Sequence, residues 1–306
     1  MPNIGSGLGI VNRLPANRYH KLIAGQTKTY ILAGNKEKVM RRISDVAAAT
    51  TRLASFIRTF TEQAGYSRLV IGLSGGVDSA LSAVLGAKAI GPGNILGLIM
   101  PYRDSSPESE ADAVDLAAGF GLKTEKIDIT PMIEAYFGDP SVSILRRGNK
   151  MARERMAILF DIAARDGALV LGTSNKTETC LGYATWYGDA ACSLNPIGGL
   201  YKRDIREMAA YLGLPRKIID KNPTADLWPG QTDEGELGIT YELADMILQR
   251  MVEEGERSLS RLTASGAQEA SIRMIVERIN RFAYKRALPA TDLLDGAAVP
   301  SHVILE

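Results

Sequence analysis

The sequence predicts an α/β fold: a doubly wound (Rossmann-like) parallel sheet with helices on both faces, followed by a helical C-terminal part. Three observations carry this. Short apolar segments alternate with helix-period segments between Arg68 and Gly172, the pattern of strand–helix–strand units. A glycine-containing turn, Ser74-Gly75-Gly76-Val77-Asp78-Ser79, joins one apolar segment directly to an Ala/Leu-rich one. Strand patterns largely cease beyond Gly199, where helical periods take over.

Residues 1–35 mix small, basic and apolar residues without a clean period and are read as an N-terminal extension. From Lys36 to Ala64, Val39, Ile43, Val46, Leu53, Phe56, Ile57 and Phe60 recur mostly at three- and four-residue steps, which gives one amphipathic helix or two in succession. Arg68 to Leu73 is a strand, and Ser79 to Ile90 a helix stopped by Gly91-Pro92-Gly93. Asn94 to Met100 is the second strand, Pro107 to Phe120 the next helix, with proline near its start, and Lys123 to Ile129 the third strand. A short helix after Pro131 gives way to the turn Gly138-Asp139-Pro140. Asn149 to Asp166 then forms a longer helix, and Ala168 to Gly172 a short apolar strand of the buried parallel type. Lys202 to Leu212, Tyr241 to Glu254 and Gln268 to Lys285 are helices, with the Pro-, Gly- and acid-rich loop Asn222 to Gly238 between the first two. The expected division is a single domain over 36–288, with an αβα core at about 66–215 and a helical part at about 240–288, and a tail at 289–306.

Composition excludes several chemistries. The 306 residues carry 36 Lys and Arg against 35 Asp and Glu, so a net charge of +1 offers no field for nucleic acid or an anionic membrane. His20 and His302 are the only histidines and lie near opposite ends, which leaves no His-rich metal site and no Ser-His-Asp triad in the body of the chain. Cys180 and Cys192 make neither a disulfide framework nor a CxxC pair, as suits a reducing compartment. The apolar runs fall far short of the ~20 residues of a spanning helix, and a basic-then-apolar leader is missing, so a cytoplasmic protein is expected.

The chemistry-bearing signal is Ser74 to Ser79 between strand and helix. Two glycines let the backbone turn tightly and present N–H groups, the helix start adds partial positive charge, and the geometry suits a pyrophosphate. Asp78 fits if it holds a magnesium ion bridging the phosphates. The bland alternative is a turn capped by Asp or Ser, and the full SGGxDS run in its strand–turn–helix setting favours the anion site. There is no GxxxxGK[ST] and no GxGxxG after a strand. Glu178, in Thr173-Ser174-Asn175-Lys176-Thr177-Glu178 at the end of the fourth strand, could complete the metal site or simply favour a helix start. The basic run Arg273, Arg278, Arg281, Lys285 and Arg286 is open between a dinucleotide pyrophosphate site and a solvated helix face.

SGGxDS resembles the signature of the ATP pyrophosphatases, which adenylate an acceptor and release pyrophosphate. With Gly148 to Met156 (GNKMARERM), Tyr187-Gly188-Asp189, Asn195 to Lys202 (NPIGGLYK), Pro223 to Trp228 (PTADLW) and Gln231 to Glu234 (QTDE), the order closely resembles the ammonia-dependent NAD synthetase family over about Arg68 to Pro289. The resemblance implies ATP on Gly72, Leu73, Ser74, Gly75, Gly76, Val77, Asp78 and Ser79, with Thr173, Lys202 and Thr224 also contacting it. It implies Mg2+ on Asp78 and Glu178, catalytic roles for Asp78 and Lys202, and deamido-NAD near Arg153, Trp186, Asp189, Ser193, Tyr284 and Lys285. It further implies ammonia as co-substrate and a homodimer, and the net charge of +1 leaves no nucleic acid or membrane partner expected. Three positions depart from the family pattern: Trp186 stands for a cation, Ser193 for a carboxylate and Tyr284 for a histidine, all on the deamido-NAD side. The rivals are an ATP pyrophosphatase acting on another substrate, tRNA included, and a non-catalytic nucleotide-binding relative.

Two further expectations concern the loop and the nitrogen source. Asn222 to Gly238, with little apolar content, is expected to be a mobile lid over the adenylate. About 70 residues precede SGGVDS, too few for an ordinary domain of ~100 to 150 residues such as a glutaminase, so free ammonia is expected and both cysteines are read as packing residues.

Overall fold

The computed structural model describes residues 45–138, 141–228 and 230–287. The expected extension, the first part of the Lys36–Ala64 helix, the tail and both histidines lie outside the described residues. The elements in order are α1 (Val46–Gln63), β1 (Leu69–Gly72), α2 (Val77–Ile90), β2 (Ile95–Ile99), α3 (Pro107–Gly119), β3 (Lys123–Lys126), α4 (Thr130–Tyr136), α5 (Ile144–Asp166), β4 (Leu169–Val170), α6 (Lys176–Leu181), α7 (Lys202–Tyr211), α8 (Arg216–Ile219), α9 (Asp233–Leu237), α10 (Tyr241–Val252), α11 (Leu259–Thr263) and α12 (Glu269–Arg281). Short 3-10 turns cover Pro92–Asn94 and Ala283–Arg286.

The four strands form a parallel sheet in the order β3-β2-β1-β4, with Leu69 beside Ile95 and Leu169, and Leu96 beside Lys123. Strand alternation divides the core. Leu69 and Ile71 of β1 join Ile95 and Ile99 against α1, α2, α3, α7 and α8, while Val70 and Leu98 turn to the other face, against α4 and α5. Helices therefore cover both faces, as expected of a doubly wound sheet. A third apolar cluster, built on Leu181, Tyr241, Ile247, Leu248 and Ile275, packs the C-terminal helices together.

Local chemistry explains the element ends. Asp45 Oδ1 accepts from Ala48 N at 2.8 Å to start α1, Gly91 at φ +87° ends α2, and Gly167 at φ +60° ends α5. Helix α5 begins at Ile144 rather than Asn149, because Ser143 Oγ accepts from Arg146 N. The third strand's pairing outlasts β3, with Ile127 N donating to Ile99 O and Ile129 N to Pro101 O. Beyond β4, Leu171 bridges Leu194, and Gly172 N donates to Leu194 O at 2.8 Å, an addition to the sheet edge that was not expected. Among the described residues no helix is long and apolar enough to cross a membrane.

The order reverses at β1: the chain runs outward through β2 and β3, then returns to place β4 on β1's other side. The crevice beyond the carboxyl ends of β1 and β4 is the position at which open α/β sheets take ligands.

Candidate active site

A cleft of about 900 Å³ opens there, lined by Gly72, Ser74, Asp78, Thr173, Glu178 and Lys202 among others. Its floor is the turn after β1. Ser74 N donates to Ser79 Oγ at 3.3 Å, Ser79 Oγ donates to Gly76 O at 3.0 Å, and the two serine hydroxyls stand 3.1 Å apart, so the loop is folded on itself before any ligand arrives. The N-cap of α2 is Gly76, which has no capping side chain, so the first-turn N–H groups remain available to an anion. Not every residue of the run faces the cleft. Leu73 contributes backbone while its side chain packs on Gly97, Val77 is buried in the core, and Gly75 lies against the Ser109 carbonyl.

Asp78 and Glu178 come from opposite sides of the switch point and meet at Lys202. Lys202 Nζ, on a nearly fully buried side chain, lies 2.5 Å from Asp78 Oδ2 and 3.4 Å from Glu178 Oε1, and 4.9 Å above the Tyr241 ring. Tyr241 OH donates to Asp233 Oδ2 at 3.0 Å. Burial pushes the Glu178 carboxyl up to about 8, with Lys202 opposing the rise and Asp78 and Asp233 adding to it. Burial works against the Lys202 ammonium, but Asp78 and Glu178 hold it above the ordinary lysine range. Lys202, expected on ATP, is thus bound to the two carboxylates here.

This donor set suits a hard divalent cation. Asp78, Glu178 and Asp233 gather around Lys202, the one cation in ion-pair contact with Asp78 and Glu178 among the described residues, so carboxylates outnumber cations at this point of the cleft. Two carboxylates are the usual protein share of a Mg2+ site, which keeps waters and takes phosphate oxygens for the rest. Among the described residues no group of three or more His, Cys, Asp and Glu stands ready as a complete cage.

The second-substrate candidates divide. Asp189 and Lys285 line the cleft. Asp189 Oδ1 accepts from Thr185 N at 2.9 Å, and Lys285 Nζ donates to Gly182 O and Ala184 O at 2.8 and 2.7 Å. Arg153, Trp186 and Tyr284 cluster outside the lining: Arg153 Nε donates to Trp186 O, and the Trp186 ring meets Tyr284 edge-on at 5.1 Å and stacks on Tyr187 at 4.6 Å. Ser193 is tied into the sheet edge, where its Oγ accepts from Val170 N and its own N–H donates to Val170 O.

The basic run divides between the cleft, which Arg278 and Lys285 line, and an exposed face, which carries Arg273. Arg278 Nε donates to Leu181 O, and Arg286 Nη1 to Thr179 O and Cys180 O, so with Lys285 these cations hold the carbonyl end of α6; Arg273 pairs with Glu269. The loop expected to lack apolar anchors has them: Leu227 and Trp228 pack on Gly148, where a Cβ would lie 3.0 and 3.2 Å from them. Asp226, at φ +50°, accepts from Ser106 N at 3.0 Å, and Thr224 Oγ1 accepts from Asp226 N at 3.1 Å.

Residues without an assigned role also enter the site. Asn175, Tyr241 and Asp233 surround the carboxylates, and Arg155 lines the cleft with its Nε on Met100 O at 2.9 Å. Asn175 carries a readable signal, an Asn followed three residues later by Glu, the capping-box spacing. Tyr241 carries none.

The family model described as NAD synthase matches residues 49–289. The chain belongs to the NAD synthase family. It is 48% identical over 238 residues to an NH3-dependent NAD+ synthetase of Fusobacterium nucleatum, covering 78% of this chain and 92% of that one. Among solved NAD synthase folds, the NH3-dependent NAD synthetase of Campylobacter jejuni is 33% identical with a TM-score of 0.69, covering 81% of this chain and 99% of that chain. An NMN synthetase of Francisella tularensis is 31% identical with a TM-score of 0.72, covering 81% and 98%. Membership makes the chain a ligase by family and accounts for the SGGVDS turn at the switch point.

Proposed function

We propose that the chain is an ammonia-dependent NAD synthetase, turning deamido-NAD, ATP and ammonia into NAD, AMP and pyrophosphate. The observation that carries this is the meeting of Asp78, Glu178 and Lys202 beside the Ser74–Ser79 turn, at the switch point of an NAD synthase fold.

A carboxylate accepts ammonia only after one oxygen becomes a leaving group. In the first step the nicotinate carboxylate oxygen attacks the α-phosphorus, the bond from that phosphorus to the bridging oxygen breaks, and pyrophosphate leaves. In the second, ammonia attacks the acyl carbon, a proton is lost, and the acyl–oxygen bond breaks to release AMP. The turn from Ser74 to Ser79 binds the departing phosphates through backbone N–H groups. Lys202 holds positive charge beside Asp78 and Glu178 and, released from them, meets the charge building on phosphate. Mg2+, when bound through Asp78 and Glu178, supplies neutralisation of phosphate charge. Thr173 and Thr224 line the ATP part of the cleft, while Asp189 and Lys285 mark the deamido-NAD part, with Arg153, Trp186 and Tyr284 at its rim. The 222–238 loop acts as a lid that keeps water from the adenylate, its closed form held by Leu227, Trp228 and Asp226. The active form is a cytoplasmic homodimer, a reading supported by the exposed Met132, Tyr136, Ile144, Leu145 and Phe160 on α4 and α5.

The deciding assay combines the purified chain with ATP, Mg2+, ammonium chloride and deamido-NAD, and measures NAD, AMP and pyrophosphate in equal amounts. Nicotinic acid mononucleotide in place of the dinucleotide tests the activity named for the Francisella relative, and tRNA tests a base-modifying enzyme. Equal NAD, AMP and pyrophosphate from deamido-NAD supports the proposal, and no turnover with deamido-NAD, or turnover only with the mononucleotide or tRNA, overturns it.

A further inference from the structure

Asn175 is fully buried at the start of α6, and its polar atoms reach both cleft carboxylates. Nδ2 donates to Asp78 Oδ1 at 2.9 Å, and Oδ1 accepts from Glu178 N at 2.9 Å. Its backbone N–H donates to Glu178 Oε2 at 3.2 Å. One oxygen of each carboxylate is therefore engaged by the same residue. The remaining oxygens, Asp78 Oδ2 and Glu178 Oε1, both face Lys202 Nζ, at 2.5 and 3.4 Å.

We infer that Asn175 is the positioning residue of the cation site, turning one oxygen of Asp78 and one of Glu178 toward a shared point where a divalent cation binds. The inference rests on the proposed function and adds which side chain sets the geometry of its metal site. The two oxygens of a free carboxylate are equivalent, and rotation about its last bond exchanges them; a hydrogen bond to one removes that freedom. Asparagine alone among the good capping residues supplies both parts, an acceptor for the helix N–H and an amide donor for Asp78. An ionised Asp has no donor, and the Ser or Thr hydroxyl is closer to its own backbone. A residue that served only as a helix cap would need no donor aimed at a carboxylate 97 positions earlier in the chain. Second-layer partners of this kind set the affinity of the metal that their neighbours hold, with losses of about 10- to 100-fold when they are removed.

The test uses the full-length chain with Mn2+ as the probe and α,β-methylene-ATP as a nucleotide that cannot react. Bound Mn2+ is read by electron paramagnetic resonance, nucleotide affinity without metal by calorimetry, and folding by thermal melts without metal. Asn175→Ser and Asn175→Thr keep a capping oxygen and lose the amide donor, while Asn175→Ala loses both. The Ser and Thr variants should melt near the wild-type temperature and bind Mn2+ about 10- to 100-fold more weakly, with metal-free nucleotide affinity changed by less than about threefold. Asn175→Ala should lose Mn2+ affinity equally and melt lower as well. Wild-type Mn2+ affinity in either capping variant overturns the inference, as does a parallel loss of metal-free nucleotide affinity. Failure of the wild-type chain to bind Mn2+ removes the metal reading itself, and this inference with it.

Discussion

Gly75 lies against the backbone carbonyl of Ser109: a Cβ built at Gly75 would stand 2.2 Å from that oxygen, and the residue holds φ at +75°. The turn after β1 is thereby seated on the first turn of α3, and two constraints, conformation and contact, both demand glycine. The nearest atoms are all Ser109 backbone, with no flexible side chain end that could move away.

Gly75→Ala is therefore expected to destabilise the fold by about 1–3 kcal/mol and to raise the KM for ATP, since relief requires the turn to lift from α3. Gly93→Ala is the control, with nothing within 4 Å of its built Cβ. Urea unfolding of both variants checks this, and equal stabilities would contradict it.

Removing the ammonium between the carboxylates is expected to be severe. Lys202→Met leaves Asp78 and Glu178 without their ion-pair partner, a change that typically costs about 3–5 kcal/mol for buried pairs. Synthetase turnover should fall at least about 100-fold, in line with loss of a group that meets developing charge. Mg2+ should raise the melting temperature of the variant more than that of the wild type, because the metal then neutralises what the lysine did. An equal Mg2+ response in both proteins would contradict the shared site.

Much of the fold was legible because β1, α2, β2 and α3 are specified by local chemistry: apolar runs, glycine stops and a proline start. The start of α5 was not, since Arg146 and Arg147 interrupt the apolar period in its first turn and only Ser143 marks the cap. The same division runs through the site. Asp78 and Glu178 stand in recognisable strand-to-helix turns, whereas Tyr241 arrives from the helical part with no local pattern, and Asp233, visible within QTDE, shows nothing locally of its tie to Tyr241. Lys285, Arg278 and Arg286 were visible as charge, but their partners are backbone carbonyls of residues 179–184, and a carbonyl leaves no mark on the sequence.

Asp245 gives a pH-dependent outcome. It is fully buried, accepts from Thr177 Oγ1 at 2.5 Å and Arg203 N at 3.0 Å, and burial pushes its carboxyl from 3.8 up to about 6. A folded-state value above the unfolded one means that the stability contributed by its protonated form is complete below about 3.8 and lost as pH rises through about 6. The rise from 3.8 to about 6 corresponds to at most about 3 kcal/mol. Relative to Asp245→Asn, which does not ionise, the wild type should lose about 1–3 kcal/mol of unfolding free energy between pH 4 and 7. A difference between the two that is flat with pH would contradict this assignment.

The thiols bear on the nitrogen source. Burial raises both: Cys192, whose Sγ would stand 2.7 Å from a Cβ on Gly172, is pushed up to about 11, and Cys180 is raised chiefly by burial. Neither has the depressed value of a thiolate nucleophile, which glutamine hydrolysis by a cysteine requires. Cys180→Ser and Cys192→Ser should therefore keep ammonium-dependent NAD synthesis within about threefold of wild type, as expected of half-buried residues packed against the apolar clusters. Glutamine should not replace ammonium chloride in the purified chain, and iodoacetamide at pH 8 should label the folded protein much more slowly than the unfolded one. Glutamine-supported synthesis that disappears in either serine variant would give that cysteine a catalytic role and overturn the assignment of free ammonia as the nitrogen donor.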